Sequence, residues 1–141
     1  MEALEQQIND VLVIRPLVGM ERSAEESFYY YVMSRIEGGA RKILFDLSEL
    51  HYISSDGLRM FNAFLTQLKE TGGEMAICSS SPFIRELIEY VYFKDVLKIH
   101  EHYSQVLQYL TGNRSEGAVK KWKIVNCTSF KPRKMACAVY N

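Results

Sequence analysis

Apolar and polar positions follow two rhythms along this chain, and they alternate. Val11-Leu12-Val13-Ile14 is a β-branched run suited to a buried strand. Asn9-Asp10 before it marks a turn, which makes residues 4–8 a hairpin partner, and Pro16 and Gly19 end the strand. Phe28, Val32 and Ile36 then recur at four-residue spacing, one apolar stripe of a helix closed by Gly38-Gly39. Ser23-Ala24-Glu25-Glu26 reads as its capping box, with Glu26 reaching back to the first-turn amides. Tyr29-Tyr30-Tyr31 cannot all face inward, and amphipathic rings at a helix edge explain them better than a contact surface does.

The alternation continues. Residues 42–45 form a short apolar strand, and Leu58, Phe61, Phe64, Leu65 and Leu68 lie on one face of a helix that Gly72-Gly73 terminates. Residues 74–78 read as a strand. Ser81 caps a helix opened by Pro82, whose core face is Ile84, Leu87, Ile88 and Val91. Residues 96–99 give a short strand, and Val106, Leu107 and Leu110 a last helix ending near Thr111-Gly112. Strand–helix alternation with connections of this length favours parallel pairing with helices packed on the sheet. The fold class is α/β.

Composition alters this picture in one place. The 141 residues fit one domain large enough for a core without disulfides or metal. No run of about 18 apolar residues is present to span a bilayer, and Met1-Glu-Ala-Leu-Glu5 lacks the basic and apolar parts of a signal peptide, so a cytoplasmic protein is expected. Net charge is zero, but residues 1–112 carry 10 Lys/Arg against 16 Asp/Glu, and residues 113–141 carry 7 against 1. An acidic body with a basic extension follows, and the division falls at a linker-like stretch, Thr111-Gly-Asn-Arg-Ser-Glu-Gly117. Within the extension, Trp122, Ile124 and the 137–140 run are compatible with one or two added strands, with disorder, or with a partner contact. Lys120, Lys121 and Lys123 around one aromatic are not a stacking platform, so direct nucleic-acid binding is not expected. Cys78, Cys127 and Cys137 form no close pair, and His100 and His102 lack further ligands at metal spacing, so neither metal nor cofactor is expected.

The candidate chemistry lies at Ser54-Ser55-Asp56-Gly57, where a strand–loop unit enters a helix. A helix start offers unpaired amides and about half a positive charge, and so favours anions. One serine can simply cap the helix. A serine nucleophile would need an adjacent base and an orienting group. The Gly-x-Ser-x-Gly elbow is absent, His51 has no visible orienting partner, and no Gly-rich phosphate cradle occurs. An enzyme is not expected.

The stretch Ile43-Leu-Phe-Asp46-Leu-Ser-Glu-Leu-His-Tyr-Ile-Ser54-Ser55-Asp56-Gly57-Leu58 resembles the signature of the STAS domain, the family of anti-sigma factor antagonists. Gly72-Gly-Glu-Met-Ala-Ile-Cys-Ser-Ser-Ser-Pro82 is similar to the family's next strand and helix start, and the resemblance covers residues 5–112, leaving 113–141 as a basic extension. It implies a mixed, largely parallel sheet of four to five strands with about four helices mainly on one face. It also implies that Ser55 accepts phosphate, with Ser54 the second choice. Asp46, Glu49, Ser54, Asp56, Gly57 and Leu58 would form the partner-binding surface.

The implied partners are an anti-sigma serine kinase of the GHKL type, which supplies ATP, and a PP2C-type phosphatase. Two positions depart from the family pattern. Ser54 stands where Asp is common, and Asp56 places a carboxylate beside the acceptor, where it would disfavour phosphate or partly imitate it. A permanently acidic Asp56 and the basic extension suit an alternative: a non-switching STAS subunit of a signalling scaffold or of a membrane transporter or lipid-transport complex.

Overall fold

A computed structural model describes residues 2–17, 22–79, 81–91, 98–100, 122–127 and 130. Strands β1 (Glu2–Ile8) and β2 (Val11–Pro16) form an antiparallel hairpin, turned at Asn9 in the left-handed region, φ 53°. Asn tolerates that conformation better than most residues, which is why Asn9-Asp10 works as the turn. Helix α1 (Arg22–Glu37), β3 (Lys42–Asp46), α2 (Ser55–Glu70), β4 (Glu74–Cys78), α3 (Pro82–Val91) and β5 (Lys98–His100) follow. The sheet order is β5-β4-β3-β2-β1-β6, with β2 to β5 parallel. The α/β class and the mixed, largely parallel sheet are those expected.

The sixth strand, β6 (Lys123–Asn126), comes from the basic extension and pairs antiparallel with β1, Ala3 opposite Val125 and Leu4 opposite Ile124. Of the possibilities open for the extension, an added strand is realised at Lys123–Asn126. The other suggested strand, 137–140, and the helix from Val106 lie outside the described residues, as do residues 96 and 97 of the expected last strand.

Strand alternation divides the core. Leu12, Ile14, Ile43, Phe45, Met75 and Ile77 face α1, α2 and α3, and Val11, Val13, Leu44, Ala76 and Cys78 form a smaller cluster on the opposite face with Trp122 against it. On the helix side, Phe45 meets Phe61 edge-on at 5.0 Å and stacks on Phe64 at 5.5 Å. Phe28 joins them from α1, 6.2 Å from Phe64. Such pairs add about 0.5–1.5 kcal/mol each beyond area burial. They fix α1 and α2 against β3.

Two local expectations are corrected. Helix α1 begins at Arg22, so Ser23 lies inside its first turn rather than at the cap, and Glu26 is exposed while Glu25 is buried. Within Tyr29-Tyr30-Tyr31, Tyr30 is partly exposed, and Tyr29 and Tyr31 are fully buried. The reason is tertiary: Tyr29 stacks on Phe64 of α2, and Tyr31 packs edge-on against Phe130 of the extension. The Tyr31 hydroxyl donates to Glu5 of β1 at 2.8 Å, a carboxylate Arg35 also holds at 2.9 Å. Strand β2 ends at Pro16, as expected; proline lacks an N–H to donate, and pairing with β3 has already ended at Ile14 opposite Phe45, so no donor is needed toward that side.

Candidate functional site

Parallel strands with helical crossovers place every strand-to-helix turn at the same end of the sheet. The C-terminal ends of β2, β3 and β4 therefore share that end with the starts of α1, α2 and α3. In open α/β sheets this is where ligands and partners are met. Leu47 holds the β3 exit down by donating its N–H to the Cys78 carbonyl at 2.8 Å.

Ser54 is the N-cap of α2: its backbone is extended and its Oγ accepts from the Gly57 N–H at 3.0 Å. The same hydroxyl donates to Oε2 of Glu25, which is buried in the first turn of α1. Gly57 fits this arrangement closely. A Cβ there would lie 2.8 Å from Ile53 Cγ1 and 3.1 Å from Glu25 Oε2.

Ser55 is the first helical residue and is exposed. Asp56 is partly exposed, and its carboxylate pairs with the Arg59 guanidinium at 2.5 Å, one turn on. An exposed pair of this kind contributes about 0–1 kcal/mol, yet it places a cation beside the carboxylate that flanks Ser55. Glu49 is exposed on the preceding turn. Gly57 and Leu58 are buried, as is Asp46, which is bound by Arg15 at 2.7 Å and accepts the Ser48 N–H at 3.0 Å. Of the six residues expected to face a partner, Glu49, Asp56 and the edge of Ser54 reach the surface. The other three shape the backbone beneath it.

Three features were not anticipated. Glu25 arrives from another helix. Tyr52 and Phe83 are large side chains left 57% and 58% exposed, one in the loop before Ser54 and one in the first turn of α3. Phe83 lies just off the Ile84–Ile88 stripe, a signal available in the sequence. Among the described residues no group of three or more His, Cys, Asp or Glu is placed to hold a metal ion. No described helix is long and apolar enough to cross a membrane.

The family model for the STAS domain matches residues 3–106. The chain belongs to the STAS domain family. BtrV of Bordetella bronchiseptica, provisionally named an anti-sigma factor antagonist, is 32% identical over 91 residues, covering 64% of this chain and 78% of BtrV. Among solved structures, a Thermotoga maritima protein provisionally given the same description superposes with a TM-score of 0.71 at 19% identity, covering 76% of this chain and 92% of that one. The Bacillus anti-sigma factor antagonist SpoIIAA in its unphosphorylated form gives 0.65 at 18%, covering 79% and 99%. The phosphorylated form of SpoIIAA gives 0.62 at 17%, covering 77% and 99%. At these identities the structures speak for the STAS fold alone.

Proposed function

We propose that this STAS protein is an anti-sigma factor antagonist that works by partner switching in the cytoplasm. Unmodified, it binds a GHKL-type anti-sigma kinase and so frees the sigma factor. Phosphorylated on Ser55, it is released, and a PP2C-type phosphatase resets it. The carrying observation is Ser55 itself, an exposed hydroxyl on the first residue of α2, at the end of the sheet where Tyr52 in the preceding loop and Phe83 in the first turn of α3 are also exposed. The name given to BtrV and the existence of SpoIIAA in both phosphorylation states support the reading.

In the transfer, Ser55 Oγ bonds to the γ-phosphorus of ATP, the bond to the β-phosphate oxygen breaks, ADP leaves, and a base of the kinase takes the hydroxyl proton. The protein is the substrate of this step and not its catalyst. The phosphate adds about −1.5 to −2 charge. The helix start accommodates that charge within the protein, and Arg59 offsets the adjacent Asp56. A partner docked over this loop meets a new dianion in addition to the exposed Glu49. A coupling of about 1–3 kcal/mol, usual for switches, changes occupancy by roughly 5–150-fold. The alternative, a non-switching subunit, drew on Asp56 as a standing charge and on the basic extension; the ion pair with Arg59 offsets part of the first.

Incubation with ATP and its cognate GHKL-type anti-sigma kinase, followed by mass spectrometry, tests the proposal. Phosphate is expected on Ser55, with loss of kinase binding; Ser55→Ala should bind the kinase with or without ATP. Absence of phosphate from Ser55, with release unchanged in Ser55→Ala, would sink it.

A further inference from the structure

Two adjacent serines stand at the start of α2, and a kinase approaching that loop meets both. We propose that Glu25 selects between them: it is a positioning residue that holds the Ser54 hydroxyl out of the phosphoryl transfer and leaves Ser55 as the acceptor. The inference rests on the switching function proposed above and adds a determinant from a different helix.

The geometry divides the labour. A serine hydroxyl has one proton and two lone pairs. At Ser54 the proton goes to Glu25 Oε2, and one lone pair accepts from the Gly57 N–H at 3.0 Å. Both contacts are part-buried, and Glu25 is 1% exposed. For Ser54 to attack the γ-phosphorus of ATP, its proton must leave the carboxylate for the kinase base. Oγ must also give up the helix cap. A dianion formed there would sit against the buried Glu25 carboxylate, and like charges at such distance oppose each other strongly. Ser55, one residue on, faces solvent.

Gly57 belongs to the same device. Its missing side chain leaves the space through which Glu25 reaches the cap, since a Cβ would stand 3.1 Å from Oε2. Selection is therefore written into the contact between α1 and α2, not into the loop sequence.

The test maps phosphate by tandem mass spectrometry after reaction with the GHKL kinase and ATP, using the native chain, Ser55→Ala, Glu25→Ala and Glu25→Gln. The native chain should carry phosphate on Ser55, and Ser55→Ala should react at least about tenfold more slowly despite keeping Ser54. Glu25→Ala should raise the share on Ser54 by roughly tenfold, the factor carried by loss of one hydrogen bond to a charged group. Glu25→Gln keeps an acceptor oxygen and should retain the Ser55 preference. Brisk phosphorylation of Ser54 in Ser55→Ala, or phosphate confined to Ser55 in a folded Glu25→Ala, overturns the role of Glu25 and leaves the switch standing. A native chain without phosphate on Ser55 overturns the switch itself, so the two failures are distinguishable.

Discussion

Arg15 and Asp46 form an ion pair on the sheet face opposite the three helices, with Nη2 and Nε of the arginine 2.7 and 2.8 Å from one carboxylate oxygen. The Asp46 side chain is almost fully buried and its second oxygen is taken by the Ser48 N–H. On the arginine's own side, the Trp122 ring lies 4.3 Å from the guanidinium carbon. Arg15 thus ties β3, just before the loop to Ser54, to β2 and to the extension. Arg15→Ala leaves a buried carboxylate without its cation, and loss of stability of about 2–4 kcal/mol is expected from such a change. Urea denaturation would measure it. A loss below about 1 kcal/mol would mean that solvent or another cation replaces the arginine.

Gly57→Ala should destabilise despite improving helix propensity. Alanine in place of glycine within a helix contributes up to about 1 kcal/mol. The added methyl, however, would stand 2.8 Å from Ile53 Cγ1. Overpacking of this kind costs about 1–3 kcal/mol. A net loss of about 1 kcal/mol is expected in thermal or urea unfolding. A gain would show that Ile53 moves aside freely.

The seating of β6 can be read from two neighbours. Val125 is buried opposite Ala3, whereas Ile124 is 65% exposed opposite Leu4. Val125→Ala should cost about 1–2 kcal/mol, and Ile124→Ala should fall within about 0.5 kcal/mol of the native chain. Equal small effects in urea denaturation would indicate that the strand contributes nothing to the fold.

What the sequence revealed and what it concealed have separate physical causes. Local periodicity placed Phe28, Val32 and Ile36 on one helix face and Leu58, Phe61 and Leu68 on another, because burial against a sheet selects every third or fourth residue. Turn chemistry marked Asn9-Asp10, and cap chemistry marked the Ser54-Ser55-Asp56 group without choosing Ser54 from it, because these backbone roles are short-range. The Glu25–Ser54 contact spans 29 residues, and no pattern within either segment requires it. Indeed the local capping box pointed to Glu26, its exposed neighbour. The three adjacent tyrosines do not all face inward, but which two are buried depends on Phe64 and Phe130, which belong to other elements. Strand β6 shows one buried position in four, too little alternation to announce a strand unaided.

Alkaline pH should weaken the fold through buried thiols and phenols. Burial pushes the Cys127 thiol up to about 11 from an ordinary value near 9, while nearby Arg35 pulls the other way. Burial also raises Cys78, with Asp46 adding to it, and raises Tyr31, whose hydroxyl is donated to Glu5. Below pH 9 the Cys127 thiol is protonated in both states, and its contribution is fully present. Between about 9 and 11 the unfolded chain gives up that proton and the folded chain keeps it. The unfolded state then binds fewer protons, so stability falls as pH rises, by up to about 1.4 kcal/mol per pH unit for each such group. Urea denaturation from pH 7 to 11 should therefore show a plateau followed by a decline beginning near pH 9. In Cys127→Ala the decline should be shallower by about one proton's worth across that window. Parallel curves for the two proteins would show that Cys127 titrates alike in the folded and unfolded chain.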